Sequence, residues 1–180
     1  MLFFFHTFNL LYRFDVSGAE KCNFTDNLTT IMENTKWYKW KDRNKIENRN
    51  QPAVYFIAHS NEDISGNEFS MRKEIVYIGM TISKNGLKGR LDQFENTMKG
   101  LFRTHGGAER VMFKHTNYRD FFEKAYISAK IFPLSISRDT PNDWRVKGDC
   151  AGHEYKSFAD YKEEFKELPE FNDPNKSKKR

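Results

Sequence analysis

Val54-Tyr55-Phe56-Ile57-Ala58 and Glu74-Ile75-Val76-Tyr77-Ile78-Gly79 are the stretches on which the fold turns. Both are β-branched and aromatic runs between polar breakers, the composition of strands. The connection between them, His59 to Lys73, carries Asn61, Asp63, Ser65, Gly66 and Asn67. Such a link suits a long hairpin, so the two strands are expected to be antiparallel neighbours.

Downstream, Leu87, Leu91, Phe94 and Met98 recur at helical spacing and predict a helix from about Leu87, with Gly100 as its stop. Gly106-Gly107 breaks the chain, and a short helix is expected from Ala108 to His115. Tyr126 to Phe132 alternates and ends at Pro133, which reads as a third strand. Ser135 to Gly148 reads as a loop, and a last helix as running from about Gly152 to Leu168, closed by Pro169. Upstream, Ile31 to Ile46 reads as a helix with Ile31, Trp37 and Trp40 on its apolar side, ended by Pro52. The order predicts an α+β fold, a small three-stranded antiparallel sheet flanked by helices. Residues 51–173 form the predicted domain, preceded by an apolar extension (1–20) and a helical lead-in (21–50), and followed by a basic, mobile tail (174–180).

Composition bounds the function. The chain has 180 residues, 31% charged and 16% aromatic. The aromatic content argues for a packed core and against disorder. A net charge of +5 suits a polyanionic partner. Cys22 and Cys150 make no disulfide pattern, which points to a reducing, cytoplasmic setting. Cys150 and His153 have zinc-like spacing, but no second pair completes a tetrahedral site. The apolar opening, Met1 to Phe14, is too short to span a bilayer, is interrupted by His6, Asn9 and Arg13, and lacks the marks of a secretory signal. It is either a docking helix or a non-native extension. No membrane association is expected, and the Asn23 and Asn27 sequons carry little weight in such a setting.

Buried strand tyrosines are ordinarily core residues. Here, however, Tyr77-Ile78-Gly79 is followed by a polar turn and a helix carrying Arg90, which can reach the strand's exposed end. With Ala53-Val54-Tyr55, Val76-Tyr77-Ile78-Gly79, Arg90, Glu154 opening the last helix, and Pro169-Glu170-Phe171-Asn172, the chain resembles the GIY-YIG nucleases over about residues 51 to 173. The second triplet is complete; of the first, only the tyrosine is strict.

The resemblance implies a metal-dependent endonuclease, of restriction type for so compact a chain, that hydrolyses DNA phosphodiesters with Mg²⁺ or Mn²⁺. Glu154 would hold the cation as an oxygen ligand, and Arg90 would offer its planar fork to the phosphate. Tyr55 would accept the water's proton or position that water, and Tyr77 would orient phosphate or water. Gly79 would allow close approach, and Asn172 would brace the fold. A homodimer would let one site per chain cut both strands. One turn after its arginine the family usually has histidine or tyrosine, whereas this chain has Phe94. His105 is the candidate replacement, with Lys88 weaker; His115 and His153 rank lower, His153 as support for Glu154. The plain reading of Glu154 is an acidic residue complementing a helix N-terminus. The alternative function is an inactive nucleic-acid-binding module of the same fold, and a third reading is an unrelated α+β protein with a chance motif.

Overall fold

The computed structural model describes residues 33–102 and 105–177. The expectations for the apolar opening, Cys22 and the two sequons lie outside those residues. A four-stranded antiparallel sheet is formed by β1 (Tyr38–Lys39), β2 (Ala53–His59), β3 (Ile75–Thr81) and β4 (Ala125–Ile131), in the order β1-β4-β2-β3. The helices are α1 (Gly86–Met98), α2 (Gly106–Lys114), α3 (Tyr118–Glu123) and α4 (Pro141–Phe165). Among the described residues no helix is long and apolar enough to cross a membrane.

The continuous apolar run of β2 follows from its central position. Side chains alternate across a strand. Ala53, Tyr55 and Ile57 therefore enter one core cluster with Leu87, Leu91 and Phe94 of α1. Val54, Phe56 and Ala58 enter a second, on the opposite face, with Cys150 and Tyr161 of α4. Both faces are covered, so no polar alternation survives. In β3 the register slips opposite Ile57 and Ala58, with Tyr77 pairing Ile57 and Ile75 pairing Ala58. This bulge leaves Val76 unpaired on the Tyr77 side, and Tyr77 lies on the same face as Tyr55.

The α+β class and the β2–β3 pairing agree with the sequence reading, but the sheet has four strands, not three. The fourth comes from the lead-in that was read as a helix. There the structure has a two-residue strand and a 3-10 turn, Trp40–Lys45. Trp37 packs into the α4-side cluster and Trp40 into the α1-side cluster. Residues three apart share one face of an α-helix, so a helix cannot send these indoles to opposite sides of a sheet, and an extended crossing can. The described part of the lead-in, residues 33–50, and the predicted domain thus share one sheet.

The last helix begins eleven residues before the predicted Gly152, at Pro141. Thr140 accepts the Asp143 amide at 3.1 Å while Asp143 accepts the Thr140 amide at 2.9 Å, a reciprocal capping box with proline at the first position. Ser135 to Gly148 is therefore loop only as far as the cap. At the C-terminus, residues 174–177 of the expected mobile tail are tied back, Ser177 donating to the Asp173 carbonyl at 3.0 Å.

Candidate functional site

Tyr55 and Tyr77 meet over a glycine. Tyr55 pairs with Gly79 across the β2–β3 ladder, and Tyr77 lies two residues back on the same strand. The phenol rings are 6.0 Å apart between centroids. A Cβ on Gly79 would stand 2.7 Å from the Tyr55 hydroxyl and 2.7 Å from the Tyr77 ring. On the other side of Tyr77, a Cβ on Gly107 would stand 2.3 Å from the ring. Both glycines are there because the tyrosine pair leaves no room for a side chain. Gly107 was read only as a chain break; a double glycine opening a helix, where propensity disfavours it, was the available signal.

His105 joins the pair from the start of α2. It is fully buried, and its Nε2 lies 2.8 Å from the Tyr55 hydroxyl. Its Nδ1 accepts the Ala108 amide at 3.2 Å, which caps the helix. An imidazole nitrogen that accepts carries no proton, so the neutral ring bears its hydrogen on Nε2 and donates it to Tyr55. Burial, with Arg90 adding to it, pushes the His105 pKa down to about 3. Phe94 supplies part of that burial, its ring edge-on to the imidazole at 5.0 Å. Phe94 is thus a hydrophobic wall for a histidine that arrives from another element.

Arg90 is on the flank of α1 beside this cluster. Its charge lowers the phenol pKa values of Tyr55 and Tyr77, but burial outweighs it, and both stay above their ordinary value, Tyr55 well above. The Arg90 Nε is buried with no acceptor among the described residues, although Nη1 donates to Gln93 at 3.1 Å. The guanidinium also bonds to both phenols, and its Nε–H keeps a donor to spare for a further acceptor.

Glu154 approaches from the other layer. It lies deep within α4 rather than at its start, so the helix-dipole reading does not apply to it. It is half-buried, and burial raises its carboxyl above the ordinary value, opposed by the Met80 backbone and by Arg90. Its charge also acts on Tyr77. The four residues therefore converge at the β3 edge, with Tyr55, Tyr77 and Arg90 from one face and Glu154 from the other.

The remaining candidates separate from this group. Lys88 is exposed, two residues before Arg90 and so on the other side of α1, in a groove with Lys84 and Arg138. It is not brought to the tyrosines. His115 packs near His59, Phe121 and Phe171. His153 faces the Phe132 ring at 5.7 Å, while Cys150 points its Sγ at the Thr81 carbonyl, 3.9 Å away, with its thiol pushed up to about 12 by burial. Asn172 braces the edge strand: its Oδ1 accepts the Ile78 amide at 2.8 Å and its Nδ2 donates to the Ile78 carbonyl at 2.7 Å.

Among the described residues no three His, Cys, Asp or Glu side chains converge as a metal cage. A closed zinc-type site does not fit. A single carboxylate at an open edge does fit a cation such as Mg²⁺, which keeps most of its waters and shares its remaining positions with substrate phosphates. No family model, curated protein or solved structure matches the chain.

Proposed function

We propose that the protein is a metal-dependent endonuclease that hydrolyses DNA phosphodiester bonds at the β3 edge. The observation that carries this reading is the convergence of Tyr55, Tyr77, Arg90 and Glu154 from both layers of the fold, with the Arg90 guanidinium bonded to both phenols and its Nε buried without an acceptor among the described residues. A chance motif gives no reason for residues so far apart in sequence to meet, nor for two glycines to clear space around them.

The reaction adds water across one P–O bond: the water oxygen bonds to phosphorus, the bond to the leaving oxygen breaks, and that oxygen takes up a proton. Arg90 holds the phosphate and offsets charge that grows on its oxygens. Glu154 would hold the Mg²⁺ or Mn²⁺, which when bound polarises the phosphoryl oxygen and assists the leaving group. Tyr77, the less buried phenol, orients phosphate or water. Tyr55 is fully buried with its pKa well raised, which weakens it as a base and favours it as a positioning donor. His105 donates into the Tyr55 oxygen and Tyr55 in turn donates to Tyr77, so Tyr55 acts by orienting Tyr77, the phenol nearer to solvent. A homodimer would supply a second site for the other strand, and the reducing cytoplasm remains the proposed setting.

The feature that favours an inactive binding module is Phe94, where a proton carrier is expected. The test is supercoiled plasmid cleavage with Mg²⁺ or chelator, across plasmids of varied sequence, by wild type, Glu154→Ala and Arg90→Ala. Metal-dependent cutting lost in both folded variants supports the nuclease. Binding without cutting on DNA and RNA alike assigns the module.

A further inference from the structure

The loop from β4 to α4 is braced at both ends. Ser135 donates its amide to Asp143 at 2.7 Å and its hydroxyl to the same carboxylate at 2.6 Å. Arg138, left-handed at φ 59°, donates to the carbonyls of Lys84 at 2.7 Å and Asn50 at 2.8 Å. Its own carbonyl accepts from Lys147 Nζ at 2.9 Å. These bonds fasten the loop to the start of α1, to the turn before β2 and to α4. A non-glycine residue stays left-handed only where its surroundings hold it there. Between the two anchors, the Ile136 side chain stands entirely in solvent, at 104% relative exposure. A slack loop would fold that isoleucine back onto apolar surface; this one holds it out.

The surroundings of Ile136 indicate what it meets. Lys84, Lys88 and Arg138 line one groove at the foot of the loop, in which Asp92 is the one carboxylate. Lys147 lies over the exposed Trp144 ring at 4.1 Å, and Trp144 is fixed by its Nε1 donating to Asp139 at 3.0 Å. A protein-docking surface has an apolar centre depleted of charge. One apolar side chain on a loop fastened beside Lys84, Arg138 and Lys147 instead has the make-up of a wedge that enters stacked bases between two phosphate backbones. Lys147 and Glu154 are seven residues apart and so lie on one side of α4. From Trp144 to Glu154 the helix rises roughly 15 Å, about four base-pair steps.

We propose that the Ser135–Arg138 loop is a rigid finger that inserts Ile136 into duplex nucleic acid a few base pairs from the phosphate held by Arg90 beside Glu154. This rests on the reading of the β3 edge as a phosphodiester site.

The experiment uses the full chain without Mg²⁺ and 30-base-pair duplexes of varied sequence carrying 2-aminopurine, whose fluorescence rises when it is unstacked. Wild type is expected to raise the signal several-fold at one offset. Ile136→Ala, folded by circular dichroism, is expected to lose that rise and to bind about ten-fold more weakly, and Ile136→Phe to retain it. A rise unchanged in Ile136→Ala, or bound duplex with no rise in wild type, overturns the finger; metal-dependent cutting by the same wild-type protein would leave the site reading standing. No binding to any duplex overturns both. A lower mass of Ile136→Ala in sedimentation, with duplex binding intact, overturns the proposal in favour of contact with a second copy.

Discussion

His105 donates a hydrogen bond to Tyr55 and does not receive one. The direction is fixed at the far side of the ring, where Nδ1 is occupied by the Ala108 amide. The imidazole is therefore a polar strut, and its protonation would break the helix cap and oppose Arg90.

A titration follows from this arrangement. The folded pKa of His105 lies near 3 and the ordinary value is 6.5. A pKa depressed in the folded state gives stability that is complete above the unfolded value and is lost as pH falls toward the folded one. Unfolding free energy is expected to fall between pH 6.5 and 3, with a slope from this residue approaching ~1.4 kcal/mol per pH unit. His105→Asn keeps a helix cap but not the reach to Tyr55. In urea titrations that variant should show a flatter pH profile, and long-range ¹H–¹⁵N spectra of wild type should show the Nε2–H tautomer at pH 5.

The two glycines around Tyr77 give a steric prediction. Gly79→Ala places a methyl group between the two tyrosines, 2.7 Å from the Tyr55 hydroxyl, and Gly107→Ala places one 2.3 Å from the other side of the Tyr77 ring. Each is expected to cost about 1–3 kcal/mol by overpacking. Gly148→Ala, on α4 with nothing within 4 Å of its Cβ, is expected to be stabilising by about 0.5–1 kcal/mol. Chemical denaturation of the three variants checks the contrast.

Asn172 works through both ends of its amide. In Asn172→Asp the acceptor for the Ile78 N–H survives, but an oxygen now faces the Ile78 carbonyl. The expected cost is about 1–3 kcal/mol, no smaller than that of Asn172→Ala, whose cavity can admit water. Thermal unfolding of the pair decides it. Cleavage by the folded fraction should persist in both if Asn172 is a brace alone.

Glu154 carries opposite signs in stability and function. Its folded pKa is raised by burial, so its contribution to stability is present below the unfolded pKa and is lost as pH rises through the folded one. Glu154→Gln is expected to be neutral near pH 4 and stabilising near pH 8. The same change should weaken Mn²⁺ binding, read by electron paramagnetic resonance, and abolish Mg²⁺-dependent cleavage. A variant that is more stable and inactive is the signature of a carboxylate kept for a ligand.

The central hairpin was legible because β2 and β3 are built from residues that suit few other structures. The helices α1 and α2 were legible from spacing and from Gly100 and Gly106-Gly107. Trp37 and Trp40 misled, because their spacing matches a helix and nothing local reveals that the sheet passes between them. The start of α4 was readable in Thr140-Pro141-Asn142-Asp143, but the polar residues around it looked like loop. Within the site, Tyr55, Tyr77, Arg90 and Glu154 were nameable by resemblance. The burial of His105 was not, since a histidine next to a double glycine is ordinarily solvated. Gly107 was missed because its neighbour is a ring from a strand far away in sequence.

The Asn172 clasp also bears on self-association. An unpaired strand edge is a template on which a second chain can continue a sheet. Along β3 the outward amide and carbonyl of Ile78 are already taken by a side chain, and at the opposite border β1 is only two residues long. Among the described residues neither margin invites a neighbour's strand. If two copies pair on DNA as proposed, helices and loops are the described surfaces left for them to meet through, and the sheets stay free to turn relative to one another as the spacing between cut sites requires.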